Sequence, residues 1–180
     1  MPELRQKRGY RMRKKKVLVT GANGYIGKHV INELLNRGCD VYACDLRFDD
    51  LDERAHKIQV QIFSGDEDIY EQLGKPDVCI HLAWRNGFVH NSETHILDLP
   101  GHYMFLKHMI EGGLQHLVVM GSMHEVGYWE GAIDENTPTN PMSLYAIAKN
   151  SLRQMIDIVA KEHGTTFQWT RGFYIIGDDL

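Results

Sequence analysis

Three glycines, Gly21, Gly24 and Gly27, stand three residues apart between a short apolar run and an amphipathic one. The run before them, Lys16-Val-Leu-Val-Thr20, is β-branched and apolar and predicts a buried strand. After them Ile26, Val30, Ile31, Leu34 and Leu35 recur at helical spacing, and Gly38 follows as a stop. A strand that turns on glycines directly into a helix admits few folds. One glycine makes the tight turn, another lets the backbone approach a pyrophosphate, and a third lets the helix pack closely on the sheet. The bound anion is expected on the free N–H groups at the start of the helix, near Tyr25.

The rest of the chain continues the alternation. Further strands are expected at Val41–Cys44, Ile58–Phe63 (alternating, hence nearer an edge), Val78–Ala83, His116–Met120 and Phe167–Ile176. Helical segments are expected at Asp68–Leu73, at Ser92–Gly112 with a start or kink at Pro100-Gly101, and at Pro141–His163 with proline in the first turn. Alternating β and α units with short links predict an α/β fold, a Rossmann-type doubly wound parallel sheet.

At the end of the second strand, about 20 residues past the turn, stands Asp45, placed to accept hydrogen bonds from adenosine ribose hydroxyls. A carboxylate there repels a 2′-phosphate and favours NAD over NADP; Arg47 is the counterweight, since a guanidinium could pair with that phosphate. Tyr145 and Lys149 lie four residues apart, on one face of a helix. An ammonium and a nicotinamide cation near the phenol both favour tyrosinate, so the phenol is expected below its ordinary pKa and able to exchange a proton with an alcohol.

With these residues in hand the chain resembles an extended short-chain dehydrogenase/reductase of the NAD-dependent epimerase/dehydratase type. The matching pieces are Thr20-Gly-Ala-Asn-Gly-Tyr-Ile-Gly27, Asp45, Gly65-Asp66, His81-Leu-Ala83, Ser122, Pro141-Met-Ser-Leu-Tyr145 with Lys149, and Arg171 with Tyr174. The resemblance implies that Gly21, Asn23, Gly24, Tyr25, Ile26 and Gly27 cradle the cofactor, that Asp66 and Glu67 line the adenine, and that Leu82, Ala83 and Trp84 cover it. It implies that Lys149 also holds the nicotinamide ribose. Such enzymes act mostly on nucleoside-diphosphate sugars, and the expected function is an NAD(P)-dependent sugar-nucleotide oxidoreductase, an epimerase or 4-keto reductase. In it Tyr145 exchanges the proton, Lys149 lowers its pKa and Ser122 bonds the reacting oxygen. The alternative is a module that binds NAD(P) without turnover, or an inactive fragment of such an enzyme.

Departures from the family pattern accompany the match. Aligning Val126 with the family's valine puts Met123, which cannot hydrogen-bond as a catalytic hydroxyl, in the hydroxyl slot; Ser122 is the nearest substitute. Asp98 stands where many relatives carry asparagine. His124-Glu125 falls where sugar 4,6-dehydratases carry Asp-Glu, so Glu125 is either a further acid/base group or a solvated loop residue. The chain stops at Ile176-Gly-Asp-Asp-Leu180, where relatives begin a sugar-binding part, and residues 16–180 are expected to form the cofactor-binding domain alone. Relatives often pair through the helices near 92–112 and 141–163, and Leu106, Met109, Met155 and Ile156 suit either a homodimer or the core.

Charge and composition set the remaining bounds. The 180 residues carry a net charge of −4, but residues 1–16 hold eight Lys/Arg and one acid. That leaves 12 basic and 23 acidic residues, which argues against a nucleic-acid partner for the fold itself. The basic segment could be a nucleic-acid or membrane arm, or sequence upstream of a start at Met12; the latter reading makes residues 1–15 a disordered extension. Only a few apolar residues separate it from the polar, glycine-rich turn, so it is not expected to be a secretory signal. No run approaches the roughly 18 apolar residues of a membrane span. Three cysteines without a CxxC pair suggest neither a disulfide framework nor a zinc ribbon, which points to the cytoplasm. The ten histidines form no recognisable ligand set, so no metal is expected.

Overall fold

In the computed structural model, which describes residues 14–177, six strands form one parallel sheet. In chain order the elements are β1 (Lys16–Thr20), α1 (Tyr25–Asn36), β2 (Asp40–Cys44), β3 (His56–Ile58), α2 (Ile69–Gln72), β4 (Val78–His81), α3 (Thr94–Leu97), α4 (Leu99–Glu111), β5 (His116–Ser122), a 3₁₀ turn (Met123–Glu125), α5 (Leu144–His163) and β6 (Thr166–Gly172). The spatial order β3-β2-β1-β4-β5-β6 reverses its winding between β1 and β4. The carboxyl ends of those two strands therefore frame a crevice, the place where open α/β sheets bind ligands.

Strand residues alternate between the faces, and the core divides accordingly. Val17 and Val19 of β1 meet Val41, Ala43 and Ile31 of α1 on one face. On the other, Leu18, Cys79, Leu117 and Val119 pack under Phe105, Leu106 and Met109 of α4 and Leu152 and Ile156 of α5. Three of the four residues weighed for a dimer face, Leu106, Met109 and Ile156, are fully buried here. The exposed apolar residues of the same two helices are Met104, Ile147 and Ile158.

Several boundaries differ from the sequence reading. The expected strand at Ile58–Phe63 ends at Ile58, its last residue paired with β2 being opposite Cys44. Beyond it Val60, Ile62 and Phe63 still pack on the core, but from a loop. α5 starts at Leu144 rather than at Pro141, because Ser143 caps it, its hydroxyl accepting the Ala146 N–H at 3.2 Å. The segment around Pro100 divides into α3 and α4, with the proline in the first turn of α4. β6 stops at Gly172, short of the expected Ile176. The extension expected over 1–15 falls mostly on residues 1–13, which lie outside the described residues. Among the described residues no helix is long and apolar enough to cross a membrane.

Candidate active site

The glycine turn is held by packing. Gly21 has φ +68°, and a Cβ there would lie 2.7 Å from the Ala83 nitrogen. A Cβ on Gly27 would fall on the Gly21 carbonyl oxygen and 2.8 Å from that of Ala22. Backbone atoms cannot yield that much, so both positions need glycine. Gly24 caps α1 in an extended conformation. Beside the turn opens a cavity of about 520 Å³, within the range of small-molecule and cofactor sites. It is walled by Gly21, Gly24, Cys44, Asp45, Leu46, Val60 to Phe63, Leu82 to Arg85 and Asp98. Glycines at one end, an acid at the end of β2 and apolar walls between them suit a dinucleotide.

The cofactor residues expected from sequence separate into two groups. Gly21, Gly24, Asp45, Leu82, Ala83 and Trp84 line the cavity. Asn23, Tyr25, Ile26 and Gly27 shape the turn or α1 without lining the cavity, and Arg47, Asp66 and Glu67 stand in the loops after β2 and β3, outside its wall. The Asp45 carboxylate accepts the backbone N–H groups of Asn23, at 2.9 Å, and Leu46, at 2.7 Å. Arg47 is exposed and paired with Asp49 at 3.4 Å. Asp66 is exposed; its carbonyl accepts a hydrogen bond from buried His108 at 3.0 Å.

Tyr145 and Lys149 sit one turn apart on α5, with Lys149 Nζ 6.0 Å from the phenol ring centroid. The first free N–H groups of α5 are tied to the loop after β4: Leu144 donates to the Asn91 side chain at 3.2 Å and Tyr145 to the His90 carbonyl at 2.9 Å. The Ser122 side chain acts on the phenol as a neighbour that favours its ionised form. Ser122 is the last residue of β5, and Met123, which aligning on Val126 puts in the hydroxyl slot, opens the 3₁₀ turn. Burial pushes the Tyr145 phenol above its ordinary range, against the lowering expected; the Ser122 side chain opposes burial and the Glu125 charge adds to it. Burial also pulls Lys149 down to about 7.

Glu125 is neither solvated nor free to act on a substrate. Its carboxylate is wholly buried, accepts the Ser122 backbone N–H at 2.7 Å and the Trp169 indole N–H at 2.9 Å, and faces Arg171 at 3.4 Å and Arg153 at 3.9 Å. With the Ser122 hydroxyl accepting the His124 N–H, it completes a capping box around the 3₁₀ turn. Glu125 thus fixes the backbone that presents Ser122.

Three further groups escaped the sequence reading. Arg85 donates through Nε and Nη2 to both oxygens of Asp98, on the cavity wall, so Asp98 is an ion-pair partner. His90 and His124 lie with ring centroids 4.3 Å apart and both pack on Tyr145. Behind the cavity a column of hydrogen bonds runs from Thr20 to His81 at 2.7 Å and from His81 to His102 at 2.9 Å, and Trp84 stacks on His102 at 4.2 Å. No sequence spacing marks the column, because its members come from β1, β4 and α4 and meet only in the assembled sheet.

The model of the NAD dependent epimerase/dehydratase family matches residues 17–179. The chain belongs to that family. It is 42% identical over 170 residues to dTDP-6-deoxy-L-talose 4-dehydrogenase (NAD(+)) of Aggregatibacter actinomycetemcomitans, covering 91% of this chain and 62% of that enzyme. Against UDP-glucose 4-epimerase of Lactobacillus helveticus it is 28% identical, covering 90% of this chain and 52% of the epimerase. The fold superposes on the Thermotoga maritima UDP-glucose 4-epimerase structure, solved with UDP-glucose, with a TM-score of 0.76 at 24% identity, over 87% of this chain and 54% of that one. This epimerase/dehydratase chain thus spans roughly half to three fifths of the length of the curated relatives it matches.

Proposed function

We propose that the chain binds NAD and carries the proton-transfer residues of an oxidoreductase acting on a ring hydroxyl of a nucleoside-diphosphate sugar, as a 4-dehydrogenase or 4-keto reductase rather than an epimerase. The observation that carries this reading is the placing of Tyr145 and Lys149 one turn apart on α5, both against Trp84 on the wall of the glycine-turn cavity. When bound, the nicotinamide accepts or returns the hydride. In oxidation the substrate C–H leaves as hydride and its O–H proton passes to Tyr145; in reduction Tyr145 gives that proton back to the new alkoxide. Ser122 donates a hydrogen bond to the same oxygen, and Lys149 supports the phenolate electrostatically. Asp45 at the cavity, with Arg47 turned to Asp49, supports NAD over NADP. The dTDP-sugar 4-dehydrogenase relative supports the choice of reaction.

Titrating NAD and NADP by calorimetry and then following deuteride exchange from labelled NADH into a panel of dTDP- and UDP-4-keto sugars tests the proposal. Tyr145→Phe is expected to leave NAD affinity within about twofold while exchange falls by roughly 10²-fold or more. Exchange at the wild-type rate in Tyr145→Phe would sink it. The rise of the Tyr145 pKa with burial favours a second reading, a dinucleotide-binding module without turnover, since a phenol that stays protonated has no site to take up a substrate's proton; NAD binding with no exchange in the unaltered chain would support that. We further propose self-association through α4 and α5, where Met104, Ile147 and Ile158 are exposed, to be read by analytical ultracentrifugation.

A further inference from the structure

Lys149 presents a problem of solvation. Its side chain is 2% exposed, and an ammonium without water is costly unless protein groups replace the water. The Glu125 carboxylate favours its charge from a distance but is itself engaged by Ser122, Trp169 and Arg171. Two groups lie directly against Nζ: the Met120 carbonyl at 2.6 Å and the face of Trp84, whose ring centroid is 4.0 Å away.

Trp84 is unusually well fixed for a residue on a cavity wall. Its indole N–H donates to His95 Nδ1 at 3.1 Å, which leaves His95 Nε2 to donate to the Val89 carbonyl at 3.0 Å. Its ring stacks on His102, which is anchored through His81 to Thr20. Burial drives His81 to about 3 and His102 to about 2, so the imidazoles beside the ammonium carry no competing charge at neutral pH. The titratable groups facing Lys149 are thus His81 from β4, His102 from α4, Glu125 from the 3₁₀ turn and Tyr145 from α5.

We propose that Trp84 is a positioning residue for Lys149: its π face takes the place of water around the buried ammonium, holding it beside Tyr145 and favouring its charged form. Attraction of a cation to an indole face is strongest where water is excluded, which is the situation of Lys149. The indole is therefore committed to Lys149 and His102 and does not serve as a stacking platform for the cofactor. Only the consequence for turnover rests on the reading of Tyr145 and Lys149 as the proton-transfer pair; the contact itself stands on the geometry.

The test reads Lys149 directly. Its titration is followed by NMR in the chain with isotopically labelled lysine, the signal being assigned by its loss in Lys149→Met. Fluorinated tryptophans, incorporated in place of all three Trp residues, withdraw density from the ring face with little change of shape. The Lys149 pKa is expected to fall stepwise with the number of fluorines, and Trp84→Leu to lower it by about one unit, a tenfold loss of the charged form above the pKa, with Trp84→Phe between. A Lys149 pKa unchanged across the fluorinated series overturns the proposal, and that series decides the matter even if Trp84→Leu does not fold. The titration uses neither cofactor nor substrate. Failure of the oxidoreductase reading, seen as exchange persisting in Tyr145→Phe, therefore leaves its result standing.

Discussion

Glu125 shows what a buried charge does at the scale of one residue. Two arginines, an indole and a backbone N–H converge on one carboxylate, and the same carboxylate sets the turn that follows Ser122. Glu125→Ala strips all of these partners at once and is expected to cost about 3–5 kcal/mol in urea denaturation. Glu125→Gln keeps an acceptor for Ser122 and is expected to lose less. Equal losses in the two variants would mean that the capping geometry contributes little beyond charge. That Tyr145 and Lys149 share one helix face was readable from spacing because the relation is local, one turn of α5. The role of Glu125 was not, since Trp169 and Arg171 reach it from 44 and 46 residues away through the pairing of β5 with β6.

Among the elements, the β1 to α1 turn is the most tightly specified. Gly27→Ala adds one methyl group in a helix that would otherwise welcome alanine, yet that methyl meets two carbonyl oxygens of the turn. The expected net effect is destabilisation of about 1–3 kcal/mol with weakened NAD binding, read by thermal melting and calorimetry; a more stable Gly27→Ala protein would contradict the close packing of α1 on the turn. This element was legible because strand, glycines and helix follow one another without interruption. The third strand was read too late in the chain, from Ile58 to Phe63 where β3 is His56–Ile58: Ile58, Val60 and Ile62 alternate like a strand and bury their apolar side, but only β2 offers a partner, and β2 ends at Cys44. Periodicity reports which side is buried, not whether a neighbour is present to pair with the backbone.

Across the molecule, stability should follow pH through the buried bases. His81 and His102 have folded pKa values depressed to about 3 and about 2, below their unfolded value near 6.5. The unfolded chain therefore binds more protons, and stability present above pH 6.5 is lost as pH falls toward 3. Between pH 6.5 and 5, before most carboxylates titrate, the loss is expected to be on the order of 3 kcal/mol, measured by urea denaturation at each pH. Lys149 works in the other window: depressed to about 7, it adds stability as pH rises toward 10, a gain that Lys149→Met should abolish. A flat profile in both windows would show that these groups are hydrated. The doubly wound sheet and its crevice were legible from the order of elements, whereas the histidine column, built from β1, β4 and α4, exists only once the sheet is assembled. The tethering of α5 to the loop after β4 also bears on redesign. Because the backbone of Tyr145 hangs from the His90 carbonyl and that of Leu144 from the Asn91 side chain, grafting a relative's loop into this chain would move the tyrosine's mooring along with it. Any exchange of that loop must keep a carbonyl acceptor at 90 and a side-chain acceptor at 91.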